Sequence, residues 1–108
     1  MLDSADGGQN RVRVYGWAFD ADDYSKQLDI HVYLGDTLGP KTFVGSIKAN
    51  KSRPDVGRAY PGAGNNHGYG DWINVSATGN RVVYVYAINV GGSNTLLGTK
   101  NVNISGSR

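Results

Sequence analysis

"RVVYVYAINV", residues 81–90, decides the fold class. Val83, Val85 and Ala87 take one set of alternate positions, and Val82, Tyr84, Tyr86 and Ile88 take the other. A period of two belongs to extended backbone, whose successive side chains point to opposite faces. Apolar residues on both faces predict a central strand with both faces covered. Gly79 and Asn80, just upstream, are the residues a tight turn prefers.

The same alternation recurs on either side. In "RVRVYGWAFD", residues 11–20, Val12, Val14 and Ala18 oppose Arg13, Tyr15, Trp17 and Phe19. In "LDIHVYLG", residues 28–35, Leu28, Ile30, Val32 and Leu34 alternate with Asp29, His31 and Tyr33. A third strand is expected over 42–49 after Gly39 and Pro40, a fourth from "YGDWINV", and a last one from "LLGTKNVNIS" after "GGSNT". With 16 glycines and seven tyrosines, the chain is poor in helix formers. The prediction is an all-β, antiparallel immunoglobulin-like β-sandwich of about six to eight strands, with a small barrel as the alternative. Val14, Ile30, Val32, Val83, Val85 and Ala87 are its expected core. The expected domain spans 11–105, with the polar "MLDSADGGQN" as a flexible linker over 1–10 and a C-terminal linker over 106–108.

At 108 residues there is room for one domain. Eleven Lys and Arg against nine Asp and Glu are scattered along the chain, so no basic patch marks a nucleic-acid or membrane partner. The absence of cysteine removes disulfides and thiolate chemistry. The longest apolar stretch is too short for a membrane helix, and no signal peptide is legible.

The long stretch "SRPDVGRAYPGAGNNHGYGDW", residues 52–72, carries the one expected helical turn. Ser52 with Asp55 three positions later suggests an N-cap, and Pro54 suits the first turn. Val56 and Tyr60, four apart, are expected to turn inward and plug one end of the sandwich. Arg53, Asp55 and His67 then tie the loop together through its backbone. The same stretch also offers a candidate ligand site in Arg53, Asp55, Tyr60, His67 and Trp72, because long loops of this kind often carry function. The bland reading, architecture alone, is the favoured one.

Catalysis is not expected. No nucleophile elbow is present, and a carboxylate pair such as Asp55 and Asp71 arises by chance among turn aspartates. Asp20, Asp22 and Asp23 cluster like calcium ligands, yet Tyr24 and His31 stand where a calcium loop needs oxygen donors, so no metal or cofactor is assigned. A second candidate surface is aromatic: Tyr15, Tyr33, Tyr84 and Tyr86, with Arg13 and His31, would share one sheet face if their strands are neighbours. Such rings stack on sugars, although they can equally bury one another.

"VYGWAFDADDYSKQLDIHVYLGD", "ANKSRPDVGRAYPGAGNNHGYG" and "VYVYAINVGGSNTLLGTK" together resemble an accessory module of secreted and cell-surface proteins of Gram-positive bacteria, actinobacteria especially. Asn50, Arg53, Pro54, Asp55, Val56 and His67 are its landmarks. Gly70, Asp71 and Trp72 depart from the pattern, which suggests a bulge at the start of the fourth strand. The resemblance implies a non-catalytic, extracellular module, often repeated, beside a cell-wall or other secreted hydrolase. Cell-wall glycan or another carbohydrate is the candidate ligand, alongside neighbouring domains of a longer chain; a structural spacer or protein-binding domain is the alternative.

Overall fold

The structure is a computed structural model that describes residues 2–19, 27–35, 41–60, 62, 64, 66–88 and 94–106. Seven strands and one helix follow in chain order: β1 (Leu2–Gly8), β2 (Arg11–Trp17), β3 (Asp29–Gly35), β4 (Lys41–Lys48), α1 (Pro54–Ala59), β5 (Gly68–Asn74), β6 (Gly79–Ile88) and β7 (Asn94–Ile104). They form two antiparallel sheets, ordered β1-β2-β5 and β4-β3-β6-β7. The chain is a β-sandwich, as the alternation predicts.

The inner faces supply the core. Val12 and Val14 of β2 meet Ile30 and Val32 of β3 and Val83 and Val85 of β6, all fully buried, with Ala87, Ile73 and Ile104 around them. Each expected core residue is there. Full burial of each Val or Ile side chain stabilises the fold by roughly 1.5–3 kcal/mol, which is why apolar residues fill these inner positions.

Residues 2–10 do not form a linker. Leu2–Gly8 pairs with β2 from Leu2 opposite Gly16 to Gly8 opposite Arg11. "LDSADGG" is almost devoid of apolar alternation, so nothing local marks it as a strand. Its partners make it one. It also touches the other sheet: the Asn10 amide donates to Ser105 O at 2.8 Å, the Ser105 amide donates to Gly8 O at 3.1 Å, and Gln9 and Ser105 form a parallel bridge. Gly7 is required at this corner, because any Cβ would run into the backbone of Asn103.

The fourth predicted strand runs without interruption, pairing Arg11 with Asn74 through Trp17 with Gly68. Irregularities fall elsewhere, between Leu2 and Ser4, Val32 and Tyr33, and Val85 and Tyr86. β6 is central in its sheet, but its outward side chains are only partly covered. The aspartates 20, 22 and 23 and the turn at 39–40 lie outside the described residues.

Candidate functional site

Three surface features gather the side chains that could act on a ligand, and they differ in what holds them. The first is the corner built by residues 52–67. Pro54 opens α1 and Val56 is buried, as expected, but Arg53 rather than Ser52 is the N-cap and no side chain caps the helix. The Asp55 carboxylate is engaged elsewhere: Arg53 Nε donates to Oδ1 at 3.0 Å and Nη2 to Oδ2 at 2.9 Å, a two-pronged pair. Arg53 Nη1 donates to Asp3 Oδ2 at 2.8 Å and to Gly16 O at 3.2 Å. The bulge in β1 leaves Asp3 as the extra residue, and bulges re-aim side chains in this way.

Those contacts stabilise the charged forms of both partners. Hydrogen bonding to Asp55 first, then to Asp3, raises the guanidinium above its usual value, against the opposing effect of burial. The Arg53 hydrogen bond holds the Asp55 carboxyl below the usual carboxylate range. The arginine stem crosses Gly68, where a Cβ would overlap Arg53 Cγ. Tyr60 does not turn inward. It is 41% exposed and packs on the outside against Trp17 and Phe19, with centroids 5.3 and 5.0 Å away. His67 is buried beside Phe19, and its carbonyl accepts from the Ala18 amide. All of Arg53's donors that are placed here face groups of the chain itself, so this corner is a latch.

Trp72 lies apart from that corner, on the outer face of β5 opposite Arg13. Arg11 sits 4.1 Å above its ring and Arg13 4.9 Å from it, while Arg13 also lies 5.1 Å from the Tyr15 ring and pairs with Asp6 at 2.9 Å. The hydrogen bond to Asp6 raises the Arg13 guanidinium. Gly8 and Gly70 leave the space these rings fill. Tyr15 therefore belongs to the three-stranded sheet, not to a face shared with the other tyrosines: alternation sets which way a residue points and is silent about which sheet it joins.

The remaining tyrosines do assemble. Tyr33 of β3 stands opposite Tyr84 of β6, and His31 opposite Tyr86, on the outer face of the four-stranded sheet. Tyr33 meets Tyr86 and Phe43 edge to face at 5.5 Å each, and Phe43 meets His31 at 5.2 Å. Lys41 Nζ lies 5.9, 5.4 and 5.8 Å from the centroids of Tyr33, Tyr84 and Tyr86. Phe43 and Leu96, at 49% and 50% exposed, extend the apolar surface.

Phe43, Lys41 and Leu96 escaped the reading of the sequence. The bulge that pairs Val32 with Gly45 but Tyr33 with Phe43 breaks the alternation of "KTFVGSIK", so its outward residues cannot be counted off. A second bulge does the same around Leu96. Among the described residues no cluster of His, Cys, Asp or Glu could hold a metal. A small cavity of about 270 Å³ opens at one end of the sandwich between Leu34, Val44, Val75, Ala77 and Arg81. No family model, curated protein or solved structure matches the chain.

Proposed function

We propose that this chain is a non-catalytic accessory module of a secreted or cell-surface bacterial protein, and that it binds carbohydrate through the outer face of its four-stranded sheet. The observation that carries this reading is the continuous aromatic surface of Tyr33, Tyr84, Tyr86, His31 and Phe43, left open beside an exposed Leu96. Aromatic side chains with a polar tip serve where one face of a ligand is apolar and its rim is wet, and sugar rings are such ligands. Open apolar surface on a small domain points to a binding face. The 52–67 corner and the Trp72 ladder are occupied by intramolecular contacts and are assigned architectural roles.

The test is retention on purified bacterial cell walls and on insoluble glycans. Tyr33→Ala and Tyr86→Ala should each weaken retention by about two- to twelvefold, the equivalent of one aromatic contact, while circular dichroism shows an unchanged fold. Retention of both variants at the parent's level, or no retention of the parent, sinks the reading in favour of a spacer.

A further inference from the structure

We infer that the tyrosine face selects glycans bearing carboxylates, with the Lys41 ammonium as the group that recognises the anion. This rests on the carbohydrate reading above and adds the chemical class of the sugar.

The lysine reaches the rings because of what stands beside it. Lys41 opens β4 opposite Gly35, and Gly35 is opposite Val82 on β6. Gly35 has no side chain, so the lysine stem can cross β3 and bring its ammonium to Tyr84 and Tyr86 on the next strand. Three ring faces within 6 Å fix the cation without neutralising it, since the attraction of a quadrupole leaves the net charge intact. The ammonium carries three N–H donors.

Among the described residues, charge on this face is unbalanced. Asp29, on the same face at the far end of β3, is taken by Lys48 at 2.8 Å. Among the described residues Lys41 makes no ion pair; the others join Arg13 to Asp6 on the opposite sheet and Arg53, at the start of α1, to Asp3 and Asp55. A positive centre thus lies within a field of rings and phenol hydroxyls, and no carboxylate among the described residues pairs with it. The rings, moreover, meet at 70° and 81°, so they do not form the coplanar platform on which a flat neutral polymer would lie. An anchor besides stacking is needed, and the ammonium provides one for an anion.

The experiment is a titration at low salt with polygalacturonate, alginate and hyaluronate, each beside its methyl ester, with poly-L-glutamate as an acidic polymer without sugar. The parent should prefer at least one acid form over its ester by about fivefold per engaged carboxylate, a preference that shrinks at high salt. Lys41→Gln should lose the preference but keep ester binding and the parent's melting temperature, and Lys41→Arg should restore it. Equal binding of acids and esters, an undiminished preference in Lys41→Gln, or equal binding of poly-L-glutamate overturns the inference while leaving carbohydrate binding in place. Binding of none of the glycans overturns it too, and together with no retention on cell walls it removes the reading beneath.

Discussion

Replacing Gly68 with alanine should destabilise the domain through Arg53 rather than through Gly68 itself. The new Cβ would occupy the place of Arg53 Cγ, and Lys51 O lies 3.1 Å away, so the arginine stem must leave. Leaving forfeits the hydrogen bond to Gly16 O, worth about 0.5–1.5 kcal/mol. It also forfeits the partly screened pair with Asp3, worth about 0.2–1 kcal/mol. The pair with Asp55, which is exposed and screened by solvent, adds a small further loss. Against this loss, alanine in place of a strand glycine stabilises by roughly 0.5–1 kcal/mol. At the centre of these ranges the net cost is about 0.8 kcal/mol, or roughly 3–7 °C in melting temperature for a domain of this size. In an Arg53→Ala background nothing remains to be displaced but the Lys51 carbonyl contact, and Gly68→Ala becomes neutral or stabilising. Urea denaturation of the parent, both single variants and the double variant gives the coupling, expected to be about 1 kcal/mol or more. Additivity within about 0.3–0.5 kcal/mol would refute the latch.

Four other outcomes follow from the same structure. Asp55 titrates lower when folded than unfolded, so its pairing stabilises the protein above about pH 4 and is lost as pH falls through the lower folded value; the penalty of Arg53→Ala, read by thermal melting, should shrink between about pH 5 and pH 2. Burial pushes the Tyr69 phenol up, so the unfolded state ionises first and stability declines as pH rises above about 10; Tyr69→Phe should flatten that alkaline decline, and an unchanged slope would contradict it. Trp72→Ala should cost about 1–2 kcal/mol for its partly buried ring yet leave glycan retention intact; the reverse pattern would move the binding face to the three-stranded sheet. Val85→Asp places an unpaired charge in the fully buried core and should cost several kcal/mol, leaving little folded protein by circular dichroism.

Much of the sandwich is legible in the sequence because burial imposes alternation on strands that carry apolar residues. β2, β3 and β6 announce themselves by Val12 and Val14, Ile30 and Val32, and Val83 and Val85. β1 does not, since its strand character comes from pairing with β2 and from the close approach of Gly7 to β7, both nonlocal. The candidate site was half legible for a related reason. Tyr33, Tyr84 and Tyr86 fall on one face by counting, but Tyr15 joins the other sheet, and the bulge in β4 hides Phe43 and Lys41. Helix capping misled because Arg53, not Ser52, takes the N-cap position, and the Asp55 carboxylate is paired with its guanidinium.

The corner where β1 meets β7 also determines how the domain responds to tension. Gln9 and Ser105 are bridged in parallel, and Leu2 lies against Gly98, so the first strand and the last run side by side in the same direction. A pull on the N-terminal side of β1 and on the C-terminal side of β7 drags these strands past each other lengthwise. The two hydrogen bonds joining Gly8 and Asn10 to Ser105 are then strained together rather than peeled one after the other. Shear of this kind resists extension better than unzipping, because no single bond can yield alone. The polar segment 2–8, inconspicuous as sequence, thereby becomes a mechanical clasp across the two sheets.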